Sequence, residues 1–532
     1  MLRLRQALVS GPLLIALLPW MFYLLVLAAY ASSLLRYPFD YDQGEGFELY
    51  DGIRLARGEN IYLDNSRFPF YASNYPPVYR AMLVPFIWLF GPHLAVGRAV
   101  TLACTLAISA MIYLAALHQQ EGRLRWLGLS PGHWLALIVA LSFLGANYIY
   151  QIAPLARAHM PMVMFAFAGV ALIERAFARR ATGRALFWGV FCLMLAGFTK
   201  LQAVDAMAAG FAYYLIRQPL AAIKSALACA AVCGLVALGL NALTAGQFWL
   251  NVVAANVNEY DIGQTWFVYD QWWKLQGVMI SLSALFVLWD VARAFRARSV
   301  RPITIWSMWA ITGAAMGMLT GKWGAGPAYL IGGMAAQCVC VAGLFHRLAQ
   351  PGAINRRIGV YAAAGVLLTV QAYLNFHTHT SGRFFGPASQ AVAALMGRDK
   401  FPTSYAPYGY YDSIGYTQLG HVLDPNDAFN AQKISDAMRA MPGPVLSEEA
   451  MFTLRAGKGV ITNPTQLYNL SKADMLDTRE LIGMINRKEF SAVLFRAQFY
   501  PKDVLGAIGQ NYRWPEKSYQ LNGFDYWLLL PQ

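Results

Sequence analysis

Eleven apolar runs, near residues 12–35, 98–117, 132–150, 161–174, 185–199, 201–216, 225–245, 275–289, 303–320, 327–345 and 358–376, recur between short polar loops. About twenty apolar residues coiled as a helix match the hydrocarbon thickness of a bilayer, and inside lipid only a helix or a closed barrel satisfies its own backbone. The pattern therefore points to a polytopic α-helical membrane protein with about 11 crossings. Composition agrees, because 57% of the residues are apolar and only 13% charged, too greasy for a soluble globule. One further segment, PPVYRAMLVPFIWLFG at 76–91, carries Pro85 and too short an apolar stretch to cross, and it reads as a re-entrant or surface helix.

The formal net charge of +14 would raise nucleic acid as a partner if the surplus formed one patch. It lies instead in short loops. With the N-terminus inside, one set of loops holds Arg3 and Arg5, Arg123 and Arg125, Arg175 to Arg184, Arg217 and Lys224, Arg293 to Arg301, and Arg347 to Arg357. Only Glu121, Glu174 and Asp290 oppose them. The positive-inside rule then places the N-terminus in the cytoplasm, with the bilayer rather than nucleic acid as partner. The basic start and an A-x-A triplet at Ala29 to Ala31 raise a cleaved signal peptide, but so long an apolar run suits a retained anchor better. All six cysteines fall inside apolar segments, which suggests no disulfide framework.

This topology gathers the first loop (36–97), PLARAHMP, FTK, the aromatic stretch 248–274, GKWGAGPAY and everything after 377 on one outer face. The first loop is unusual, with Asp40, Asp42, Glu45, Glu48 and Asp51 falling within twelve residues at the edge of a membrane helix. A carboxylate at bilayer depth costs roughly 2.5 kcal/mol or more, so the cluster needs a purpose. Part of it, FELYDGIRLARG, reads as an interfacial helix with Glu48, Asp51 and Arg54 turned to water. Trp266, Trp272 and Trp273 read as an aromatic belt. Beyond 377 acidic and basic residues balance, and PVLSE, KGVIT and SAVLF alternate with helical segments, the pattern of a small external α/β domain at 377–532 following a membrane domain at 1–376. His377 and His379 offer too few ligands for a zinc site.

Carboxylates on one loop and cations on others suit transfer of a group carried on a lipid phosphate. A carboxylate can take the proton of an attacking hydroxyl, and lysine or arginine can hold the phosphate as its charge grows.

In YDQGEG (41–46), GENIYLD, NYPPVYR, LFGPHLAVGRAV, FTK, GKWGAGPAY and the later GPVLSEEAMFTLRAGKGVITNP, the chain resembles the GT-C superfamily of membrane glycosyltransferases, the aminoarabinose transferases and protein O-mannosyltransferases among them. The resemblance implies an inverting transfer of a sugar from a polyprenyl-phosphate donor to a hydroxyl of a glycan, lipid or protein. It implies Asp42 as the base, with Glu45 as its alternative or as a partner that orients the acceptor. Asp40 and Asp42 form a D-x-D that could hold Mg²⁺ or Mn²⁺, and metal dependence stays open. Arg80, Lys200, Lys322 and Tyr329 are the candidates for the donor phosphate. Helix-end lysines also snorkel, and Tyr329 also suits an interfacial aromatic. Arg157 and His159 are candidates from the second loop, where the family places an acidic residue. Tyr75 stands where aminoarabinose transferases have a lysine before the paired prolines. Two rivals remain at this stage, a transporter or flippase of a lipid-linked saccharide and a polysaccharide polymerase or ligase using a pyrophosphate-linked donor. Against the transporter, no internal repeat is visible and polar residues gather in the loops.

Overall fold

The computed structural model describes residues 2–118, 130–178, 182–350, 354–375 and 423–532. Each of the eleven apolar runs is largely helical over its described residues, with 132–150 split at Ala146. Seven helices, among them Leu94–His118, Pro219–Leu243 and Pro327–Ala349, are long and apolar enough to cross a membrane. The segment 76–91 folds as Val78–Phe90, a helix of 13 residues whose Trp88, Leu89 and Phe90 are exposed. The expected domain boundary at 377, His377, His379, Arg123, Arg125, Glu121, Arg179 and Arg180 lie outside the described residues.

Four helices at the start of the chain position the site: α1 (Leu2–Arg36), α2 (Glu45–Ala56), α3 (Val78–Phe90) and α4 (Leu94–His118). Helix α1 packs between Ile354–Leu374 and Pro131–Gly145. Its neighbours meet it through fully buried Trp20, Tyr23 and Tyr30, large side chains that fix how the membrane helices nest.

The aromatic stretch expected as a loop before 275 is helical. Asp261 caps it by accepting from the Gly263 amide at 2.7 Å, and one helix runs Ile262–Arg296. It points Trp266 and Trp273 outward and buries Trp272, so only part of the expected belt faces the lipid boundary. The helix breaks its geometry at Gln276. There the Gln371 side chain accepts from the Met279 amide at 3.1 Å and donates to the Leu275 carbonyl at 2.7 Å. A kink among membrane helices survives because a neighbour's amide replaces the lost backbone bonds.

The last region holds a five-stranded sheet: β1 (Val445–Ser447), β2 (Ala492–Phe495), β3 (Tyr512–Arg513), β4 (Tyr519–Leu521) and β5 (Phe524–Pro531), in the order β1-β2-β5-β3 with β4 also on β5. Strands β1 and β2 run parallel, and β5 is antiparallel to its partners. KGVIT, expected as a strand, instead makes a single bridge from Thr462 to Phe70 of the first loop. Its two apolar residues are spent on docking rather than on the sheet, Val460 clustering with Phe47 and Tyr71 and Ile461 with Phe70. Tyr37 and Phe39 of the first loop share a buried cluster with Phe452, Leu494 and Tyr526, so loop and sheet domain pack as one core.

Candidate active site

The acidic loop is shaped by one arginine. Near the start of α4, buried Arg98 donates to the carbonyls of Leu34 and Tyr37 at 2.5 Å each, and to that of Phe39 at 2.9 Å. It also grips both oxygens of Glu45 at 2.8 and 2.7 Å. Glu45 in turn accepts from the amides of Tyr41, Asp42 and Ala156 at 3.0, 3.2 and 2.8 Å. Burial pushes this carboxyl up, but Arg98 and the amides outweigh it and hold Glu45 below its usual range. Glu45 therefore does not face an acceptor. Every lone pair is committed to fastening the end of α1, the start of α2 and the second loop together, which corrects its expected catalytic role.

Asp40 is corrected in the same way. It is fully buried and accepts from the amides of Gly46 at 2.5 Å and Met451 at 2.9 Å. Burial, then the nearby charge of Glu449, pushes its carboxyl well above the usual range. Both Asp40 oxygens are spent on backbone amides, whereas Asp42 lines the cleft, so the two carboxylates do not converge on one position as a Mg²⁺ or Mn²⁺ pair would. Among the described residues, no group of three or more His, Cys, Asp or Glu side chains suits a metal ion.

Asp42 faces elsewhere. With Gly44, Glu48, Tyr75, Arg80 and Arg157 it lines a cleft of about 190 Å³. Its Oδ2 lies 3.0 Å from Nε of Arg157. Gly44 makes room for that guanidinium, since a Cβ there would fall 1.3 Å from Arg157 Nη1. Gly44→Ala is expected to expel Arg157 from the cleft and lower turnover at least tenfold, about 1.4 kcal/mol of barrier. The thermal midpoint should stay near wild type, because Arg157 is partly exposed. Steady-state assay beside a melting curve checks both halves.

Glu48 and Asp51 do not point to water. Arg80 lies between them, at 2.5 Å from Glu48 and 3.3 Å from Asp51, and all three are buried. Burial pushes Asp51 up to about 6 despite Arg80 and a hydrogen bond from the Tyr71 hydroxyl. The helix was expected to be interfacial because its sequence is amphipathic, but its acidic side meets a buried cation on α3. Arg80 lines the cleft with its charge already matched.

Lys200, just past helix Thr182–Thr199, sits 6% exposed with Nζ 2.5 Å from His159 Nε2. Burial, then the charge of Arg157, depresses its amine well below the usual range; Lys322 and Arg80 add to this and Glu48 opposes it. The Tyr75 ring lies 4.8 Å from Lys200 Nζ and 5.2 Å from Arg80 Cζ. Tyr75 thus separates two cations, where a lysine would crowd them. Lys322 Nζ donates to the Asn256 carbonyl at 2.9 Å, and burial lowers its amine too. Tyr329 faces the Gln202 side chain and neighbours Tyr75.

Sequence reasoning missed the roles of Arg98 and Trp323 and the residues that the sheet domain brings to the cleft. Arg98 carried a readable signal, an arginine inside an otherwise apolar helix. Asn463, Thr465 and Phe499 carried none, because only the folded chain brings them to the cleft beside Trp323, which packs on Tyr468 at 4.8 Å between ring centroids.

No protein-family model and no curated protein matches the chain. Solved structures do. ArnT from Cupriavidus metallidurans bound to undecaprenyl phosphate superposes with a TM-score of 0.55 at 13% identity, covering 96% of this chain and 97% of that one. Its apo state gives 0.52 at the same identity and coverage. The chain has the GT-C membrane fold. Because the superposition runs over nearly the whole of both chains, the GT-C likeness includes the sheet domain as well as the membrane helices.

Proposed function

We propose that the cleft transfers a sugar from a polyprenyl-phosphate donor to an acceptor hydroxyl, with inversion at the anomeric carbon. One observation carries the reading: Asp42, Arg80 and Arg157 line one cleft, and Lys200, set against the Tyr75 ring of that lining, lies close enough to Arg157 and Lys322 to feel both charges, although these segments lie far apart in sequence. ArnT, with the same fold, is a protein seen with undecaprenyl phosphate bound.

In this mechanism the acceptor hydroxyl attacks the anomeric carbon and gives its proton to Asp42. The bond from that carbon to the phosphate oxygen breaks, and polyprenyl phosphate leaves with the electron pair. Arg157, Lys200 and Lys322 take up the charge that grows on it. Asp42 and Arg157 are paired at 3.0 Å. A phosphate drawn to Arg157 competes for its guanidinium and leaves the Asp42 carboxylate to accept a proton. The same anion offsets the burial and the neighbouring cations that depress the Lys200 amine. The sheet domain, with Asn463, Thr465 and Phe499 on the cleft wall, selects the acceptor. The membrane lies such that this face is outside the cytoplasm.

Purified protein supplied with a labelled polyprenyl-phosphate sugar is expected to release free polyprenyl phosphate in step with sugar transferred. Release from a pyrophosphate-linked donor alone would support a polymerase or ligase. Movement of intact donor across vesicles without release would support a flippase.

A further inference from the structure

A second cavity, of about 470 Å³, opens away from the transfer cleft where α1 ends and α4 begins. Arg36 is the last residue of the span Ser10–Arg36, and Leu94 is the first of the span Leu94–His118. The cavity therefore straddles the boundary between hydrocarbon and water. Its other wall comes from the sheet domain, through Met451, Leu454 and Arg455.

The lining is sharply one-sided in charge. Arg36, Arg57, His93 and Arg455 reach it from four segments, and all four are exposed. No carboxylate lines it among the described residues. None of the three arginines has an ion-pair partner among those residues, whereas Arg54, one turn away on α2, is paired with Glu59 at 3.3 Å. Arg455 is held over the Phe39 ring at 5.1 Å, which fixes its direction without neutralising it. Below the cations the wall is apolar, with Leu35, Ile53 and Leu94. A single arginine at a helix end is ordinary snorkelling. Three converging from a membrane helix, the first loop and the sheet domain over a cavity with a greasy floor form a receptor for an anionic headgroup on an acyl chain.

We propose that this cavity holds an acidic glycerophospholipid of the adjoining leaflet, its phosphate between Arg36, Arg57 and Arg455 and its chain over Leu35 and Leu94. The lipid ties the sheet domain to the membrane helices at a seam where the protein supplies cations and no anions. This site is separate from the transfer cleft and does not depend on the reaction proposed for it.

Full-length protein in nanodiscs tests the proposal, with phosphatidylglycerol diluted into phosphatidylcholine. Wild type is expected to retain phosphatidylglycerol selectively in native mass spectra and to melt at higher temperature as its fraction rises. The variant R36Q/R57Q/R455Q should lose that retention. Each arginine near the surface contributes a factor of about five, so the triple variant should fall about a hundredfold in apparent affinity. The single variant R57Q, at an exposed position, guards against a folding defect and should fall about fivefold, with R57K restoring most of it. Equal retention by wild type and the triple variant, or equal stabilisation by phosphatidylcholine alone, would overturn the proposal. So would unchanged lipid retention combined with a raised KM for acceptor, which would make the cavity an acceptor site.

Discussion

Asp42→Asn is expected to cut transfer by about 10² to 10⁴, the range that a positioned general base supplies. The substitution keeps shape and volume, removes the negative charge, and leaves Arg157 without its partner at 3.0 Å. Donor binding should therefore hold or tighten while turnover collapses, a fall in kcat without a rise in KM for the donor. Assay of label transfer by purified variant, beside donor binding measured separately, distinguishes the two. Near-normal turnover would remove Asp42 from the base role. Glu45→Gln, by contrast, should damage folding as well as activity, because Glu45 is keyed to Arg98 and not to the cleft.

Arg98→Ala is expected to have the largest effect on stability. Removing one partner of a buried ion pair leaves an uncompensated charge and costs about 3 to 5 kcal/mol. Here it also removes the donor from the carbonyls of Leu34, Tyr37 and Phe39, all three buried residues. Expression in membranes should drop, and the thermal midpoint in detergent should fall by many degrees. Arg98→Met with Glu45→Gln removes both charges and should recover part of the loss. A wild-type melting curve for Arg98→Ala would show that the loop is fastened by something else.

The sequence displayed the membrane helices because hydrophobic length is a local property, visible in any window of twenty residues. The eleven runs and the helices correspond for that reason. The start of helix Ile262–Arg296 was hidden, since interfacial tryptophans and tyrosines are polar enough to resemble a loop. Acidic residues at 40–51 drew attention to the first loop, but the partners of each were not legible one by one. Which carboxylate faces the cleft depends on where Arg80 and Arg98 arrive from other helices, and that is long-range information. Lys200 and Lys322 were singled out through the motifs FTK and GKWGAGPAY that resemble the GT-C superfamily, whereas the residues at 463–499 on the cleft wall required the sheet domain to be seen docked.

That docking has a consequence for timing. Asp40, near the first membrane exit, bonds to the amide of Met451, and its carbonyl accepts from the Asn522 side chain at 2.7 Å. Met451 and Asn522 follow Asp40 by more than four hundred residues, so a nascent chain exposes its first loop long before it delivers the groups that fasten that loop. The membrane helices in between can insert one after another while Asp40 still waits for both partners.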